Sequence, residues 1–113
     1  MAYDEYLAMR MRDALDGLPG IDEKKMMGGV CFLVDGNMVG GCHRDKKSGE
    51  GLYLFRVGRE GVGEALNMAG TAPMTMGGRT MGGFVQAGED LDNSTFAELV
   101  SLSLAFVGTL PAK

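Results

Sequence analysis

The chain has no tryptophan, a single histidine, two cysteines and three prolines, and aromatic residues make up only 7% of it. Each shortage excludes something. Two cysteines are too few for the framework of a secreted disulfide scaffold. Cys31 and Cys42 are therefore expected as free thiols in a reducing cytoplasm. Structural zinc takes four ligands at close spacing, and Cys31, Cys42 and His43 are the only cysteine and histidine ligands present. Cys42 and His43 are consecutive in a strand-like stretch, so they face opposite sides of a sheet. No metal site and no cofactor is expected. The longest stretch without a charge runs only from Leu99 to Ala112 and includes Ser, Gly, Thr and Pro. A membrane-spanning helix needs about 20 apolar residues, so no membrane partner is expected. The start, Met1-Ala2-Tyr3-Asp4-Glu5, has neither a basic segment nor an apolar run, and no secretory signal is read there. There is no helix-turn-helix pattern and no interleaving of bases with aromatics. Direct, sequence-specific DNA binding is not expected.

What is present is ordinary globular composition with two excesses. Hydrophobic residues are 45% and charged residues 23% of 113, which excludes disorder and fits one domain, residues 1–113. Glycine (19) and methionine (10) are abundant. The net charge of −4 is unevenly spread. Residues 1–23 carry −4, residues 24–79 carry +3 and residues 80–113 carry −3. The basic middle supplies one candidate site, an anion-facing patch of Lys24, Lys25, Arg56 and Arg79 around the sheet. It would make the chain a small-molecule or anion-binding module.

The periodicities give the elements. Leu7, Met11, Leu15 and Leu18 recur at helical spacing over 4–16. Asp4 is placed to cap that helix, Gly17 to end it and Pro19 to prevent its continuation. Gly20 to Glu23 reads as a turn. Lys24 to Met27 reads as an edge strand ended by Gly28-Gly29. Val30 to Val34 and Met38 to Cys42 flank Asp35-Gly36-Asn37, and Asp-Gly between apolar runs is the strongest short-range hairpin signal. Arg44 to Gly51 is a charged loop and Leu52 to Val57 a further strand. Arg59 to Met68 reads as a short helix weakened by Gly61 and Gly63. Met74-Thr75-Met76 and Thr80 to Gln86 flank Gly77-Gly78-Arg79 as a second hairpin. Thr95-Phe96-Ala97-Glu98 matches a capping box opening a helix over 95–109. The order predicts an α+β fold, α-β(3-4)-α-β(2)-α, with an antiparallel sheet of five to six strands.

No arrangement reads as catalytic. No serine has a histidine at helix or strand spacing, and the carboxylates Glu89, Asp90 and Asp92 precede a helix, where its dipole accounts for them. The glycine pairs are followed by strand-like residues, unlike phosphate cradles, which lead into a helix. A hairpin loop of Gly36-Asn37 pairs Cys31 with Cys42; a loop of Asp35-Gly36 makes them diagonal neighbours. Either register is expected to put both thiols on one face. Met74, Met76 and Met81 with Phe84 suit either core filling or an adaptable partner surface. The last helix carries no charge after Glu98 until Lys113, and Leu102 and Leu104 lie off its inward stripe of Phe96, Leu99, Val100, Phe106, Val107 and Leu110. Leu102, Leu104 and Phe106 are the candidate self-association surface, and a homodimer is expected.

Read whole, the chain resembles the N-terminal domain of the TfoX/Sxy family. The resemblance is carried by Glu23-Lys24-Lys25-Met26-Met27-Gly28-Gly29, Phe32-Leu33-Val34-Asp35-Gly36-Asn37-Met38 and Leu54-Phe55-Arg56-Val57-Gly58. It continues in Pro73-Met74-Thr75-Met76-Gly77-Gly78-Arg79-Thr80-Met81-Gly82-Gly83 and in Ala105 to Lys113. It implies an α+β fold like that of small secretion-chaperone-type domains. It also implies kinship with bacterial regulators of competence genes, which act with the cyclic-AMP receptor protein on promoters. The family offers no established catalytic residues to carry over. The expectation is a stand-alone, non-enzymatic, cytoplasmic regulatory domain acting by protein–protein contact, with the transcription machinery a candidate partner.

Overall fold

The computed structural model describes residues 5–26, 29–76 and 78–113. Its elements are α1 (Glu5–Ala14), β1 (Ile21–Met26), β2 (Gly29–Val34), β3 (Asn37–Arg44), β4 (Gly51–Arg56), α2 (Val62–Leu66), β5 (Thr71–Met76), β6 (Arg79–Gly88) and α3 (Asn93–Val107). The strands form one six-stranded antiparallel sheet in the order β1-β2-β3-β4-β6-β5. The α+β order expected from the sequence is the observed one.

Several boundaries differ for local reasons. The expected turn at Gly20–Glu23 contracts to Gly20, whose φ of +77° takes the bend. Ile21 then starts β1 opposite Val34, where both pack at the margin of the core. The helix expected over 59–68 is only Val62–Leu66, with Gly61 as its N-cap. The capping box is displaced too. Asp92, not Thr95, is the N-cap of α3, and its carboxylate accepts from the Thr95 backbone N–H at 3.1 Å. A full negative charge at the helix start outcompetes a hydroxyl, and the Thr95 hydroxyl itself points to Asp92 at 3.3 Å. The proposed Asp4 cap, Met27, Gly28 and Gly77 lie outside the described residues. Gly17 has the left-handed backbone expected of it, φ +83°.

The β2–β3 hairpin turns on Asp35 and Gly36, with φ of +51° and +83°, the two left-handed residues of a tight hairpin turn. Val34 pairs with Asn37 and Leu33 with Met38, but then the register shifts: Phe32 pairs with Gly40 and Cys31 with Gly41. The extra residue is Val39, which turns into the core beside Gly40. This bulge corrects the cysteine expectation. Cys42 pairs with Val30 on the core face, whereas Cys31 pairs with Gly41 on the other. One inserted residue inverts everything beyond it because the side-chain period is two. Both thiols are buried, and neither is in a disulfide.

All three helices pack on one face of the sheet. Leu7, Met11 and Leu15 from the first helical segment, Ala65 from α2 and Phe96, Leu99, Val100 and Val107 from α3 share one core with Val30, Phe32, Tyr53, Phe55, Val85 and Ala87. The Phe96 ring stands edge-on to Tyr53 and Phe55, at centroid distances of 5.0 and 5.4 Å. The buried Tyr53 hydroxyl donates to the Leu7 carbonyl at 3.1 Å, tying β4 to α1.

Candidate functional site

Along an α-helix, side chains three or four positions apart share a flank, whereas those two apart do not face the same way. Phe96, Leu99, Val100, Ser103 and Val107 of α3 face inward. Leu102 and Phe106, one turn apart, fall on one flank, and Leu104 falls on the other. All three are half-buried and pack against the core. The expected self-association triad is therefore split by the helix. The outermost line holds Ala97, Glu98, Ser101, Ala105 and Thr109, all exposed, and only Glu98 carries charge.

The Leu102–Phe106 flank borders a groove that α2 and the β4–α2 connection close on the other side. One stretch runs between Glu64 and Met68, in and just after α2, and Ala97, Ser101 and Leu102 of α3, with a volume of about 350 Å³. The next, about 750 Å³, lies between Val57–Gly61 and Leu102, Ala105, Phe106 and Thr109. They meet at Leu102. The floor at the far end is set by Gly58. Its φ is +79°, and a Cβ there would lie 2.4 Å from the Phe106 ring. The Arg56 guanidinium stands 5.4 Å from the centre of the same ring and donates to the Met38 carbonyl at 3.3 Å.

The four cations of the expected anion patch do not converge. Lys24 and Lys25 are consecutive on edge strand β1, paired with Cys31 and Val30, so they point to opposite faces. Arg56 ends β4, three strands away, or about 14 Å at ordinary strand spacing. Arg79 sits at the tip of the β5–β6 hairpin, opposite Met76. The methionine group is divided as well: Met74 is buried and Met81 is 38% exposed. His43 is half-buried on β3. Among the described residues, no group of three His, Cys, Asp or Glu is placed to hold a metal ion, and no helix is long and apolar enough to cross a membrane.

Two positions that sequence reasoning passed over carry the polar architecture. Arg10 lies flat on the helix face of the sheet, its guanidinium carbon 4.3 Å from the Phe96 ring centre and 5.6 Å from that of Tyr53. It donates to the Leu91 carbonyl, to the Glu89 carbonyl at 3.3 Å and to Asn93 Oδ1 at 2.9 Å. Nothing in its spacing separates it from a solvated arginine. Asn37, 3% exposed, donates to the Pro111 carbonyl at 2.9 Å and ties the last residues to the β2–β3 hairpin. On α1, Arg12 bridges Glu5 at 2.6 Å and Glu23 at 2.7 Å. The hydrogen bond from Arg12 holds the Glu23 carboxyl below its usual range. Burial pushes the Cys31 thiol up, with Lys24 opposing it.

A family model described as the TfoX N-terminal domain matches residues 13–107, most of the chain. No curated protein and no solved structure matches.

Proposed function

The chain belongs to the TfoX N-terminal domain family, and from that premise we propose that it is a cytoplasmic regulatory domain, related to competence control, that works by protein–protein contact as a homodimer. The family is not a known enzyme family. The observation that carries the reading is the outward line of α3. A solvated helix face is normally charged, yet Ala97, Ser101, Ala105 and Thr109 leave Glu98 as the single charge on the 15 residues of this helix. Charge depletion beside an apolar groove is the compositional mark of an interface centre. Small side chains also let a second helix come close.

Charge selects the occupant and its direction. Glu64 and Glu98 sit at one end of the groove, and Arg59, beside Glu60, at the other. Two copies with parallel α3 helices would stack their acidic ends. An antiparallel pair about a two-fold axis separates them and brings each toward the partner's Arg59, with the helix dipoles opposed. Leu102 and Phe106 then line the contact from both sides; Leu104 does not take part.

The test is sedimentation equilibrium on the whole chain. The native protein is expected to be a dimer at micromolar concentration. Ala105→Arg, at an exposed position, is expected to give a folded monomer with an unchanged circular dichroism spectrum. A native chain that stays monomeric at a hundredfold higher concentration overturns the proposal, as does an A105R chain that remains dimeric.

A further inference from the structure

On the far side of α3 lies a second, chemically different surface. Tyr6 and Met9 are 74% and 51% exposed, the two most exposed large apolar side chains among the described residues. They are one turn apart on α1 and project beside Asp13, which continues the same stripe. Across from them runs the β6–α3 turn with Glu89 and Asp90, and between the two lies a cleft of about 450 Å³. Isolated exposed apolar residues are ordinary; a tyrosine and a methionine framing one wall of a cleft are not.

The charge of this cleft is one-sided. Its only cation among the described residues, Arg10, is turned to the floor, stacked on Phe96 and Tyr53 and held by the Glu89 and Leu91 carbonyls and Asn93. Glu89 is engaged by Arg44 at 3.1 Å. Among the described residues, no salt bridge engages Asp13 or Asp90, and both carboxylates are exposed. A second copy related by a two-fold axis through the cleft would bring these carboxylates against their own kind, on a body whose net charge is already −4. The complementary occupant is basic.

We infer that the cleft between α1 and the β6–α3 turn docks a basic segment of a different protein, with an arginine or lysine stem laid along Tyr6 and Met9 and its charged head at Asp13 and Asp90. Such a side chain matches both halves of the site, because its methylenes suit the apolar wall and its head the carboxylates. This surface is separate from the α3 contact, so blocking either one is expected to leave the other intact.

The experiment is amide chemical-shift mapping on the isotope-labelled full chain, using a blocked alanine-based helical peptide with arginines one turn apart. The same peptide with glutamates is the control. Perturbations are expected at residues 6–13 and 89–93, with the arginine peptide only, and the affinity is expected to fall with added salt. Tyr6→Ala is expected to weaken binding at least about fivefold, as truncating an energetically significant interface residue does. Met9→Lys, which places a like charge on an exposed wall, is expected to abolish it while the rest of the spectrum stays native. The inference is overturned by absent perturbations at millimolar arginine peptide, by equal perturbations with the glutamate peptide, or by binding that survives Met9→Lys. It is also overturned if Tyr6→Ala changes the oligomeric state, since that would assign the patch to a second copy.

Discussion

Replacing Gly58 by alanine tests how the α3 groove is built. Two costs meet at this residue. Its φ of +79° lies in the left-handed region, where a Cβ costs about 1 kcal/mol or somewhat more. The new Cβ would also stand 2.4 Å from Phe106 Cδ1, 2.8 Å from Cε1 and 2.9 Å from Cγ, so the ring must move. Displacing a packed side chain costs about 1–3 kcal/mol. Together the two come to about 2–4 kcal/mol. For 113 residues, the unfolding entropy is about 240 cal/mol/K, so each kcal/mol lowers Tm by about 4 °C and the variant should lose about 8–16 °C. Urea unfolding followed by circular dichroism, run as a double-mutant cycle with Phe106→Ala, separates the two costs. In the Phe106→Ala background only the backbone cost should remain, about 1 kcal/mol. The ring displaced in Gly58→Ala is also the ring that lines the proposed dimer contact, so this variant should associate more weakly than the native chain. A Gly58→Ala variant within about 0.5 kcal/mol of native, the usual span of neutral surface changes, would refute the reasoning. An equal cost in both backgrounds would refute the steric half of it.

Three further outcomes follow from the polar groups. Ser103 is fully buried in α3 and its hydroxyl has no hydrogen-bond partner among the described residues; Ser103→Ala should therefore be neutral or stabilising by up to about 1 kcal/mol in the same urea assay. Arg10→Lys keeps the charge but loses the planar fork that serves two carbonyls and Asn93, and should cost about 1–2 kcal/mol at this partly solvated site. The pH dependence has two edges. Glu23, Asp45 and Asp92 are held below their usual range by Arg12, by Ser48, and by Ser94 and Thr95. Their contribution is present above the unfolded carboxylate range and drains as pH falls through the lowered folded values. Cys31 and Tyr53 are pushed up by burial; their contribution is complete below the ordinary thiol value of 9.0 and is lost as pH rises beyond it. Thermal unfolding across pH should give a plateau between these edges, and a maximum below about pH 4, the ordinary carboxylate range, would contradict it.

The elements are readable from the sequence where a single local cause decides them. Leu7, Met11 and Leu15 at helical spacing, Asp35-Gly36 between apolar runs and the apolar strand 52–57 all form what their patterns require. What escapes such reading depends on contacts distant in sequence. The bulge at Val39 sits where Gly40 lies close against Met11 and the Leu54 carbonyl, and no local pattern announces it; yet it alone decides that the two thiols face apart. The cap of α3 moves to Asp92 because two cap-forming residues compete within one turn, and the sequence does not rank them. The four cations look like one patch only while strand order is unknown: Lys24 lies on edge strand β1, and Arg79 on β6, beside the opposite edge. Arg10 and Asn37 act on the carbonyls of Leu91 and Pro111, most of the chain away, which spacing along the chain cannot encode.

The last helix shows why counting apolar residues misleads about surfaces. Its composition suggests a greasy circumference, but the structure sorts it into three kinds of position. Five residues are buried, Leu102, Leu104 and Phe106 pack along the core margin, and the outermost line is small and almost uncharged. The surplus is thus not exposed leucine but missing charge. Exposed leucines would drive association in any register, because the hydrophobic effect has no direction. A line of alanine and serine drives little by itself, yet it allows a close approach only to a surface that fits it. Specificity then falls to the groove beside it and to the few charges at its ends, Glu64 and Glu98 at one and Arg59 with Glu60 at the other. Such a contact is weak unless its geometry is met, which is what the proposed regulatory role would require if partners are to exchange. The acidic cleft at Tyr6 follows a different rule in our inference: its charge disfavours a two-fold contact with itself and favours a basic guest. The two proposed surfaces differ in selectivity, so a self-contact at one and a basic guest at the other would not compete for the same site.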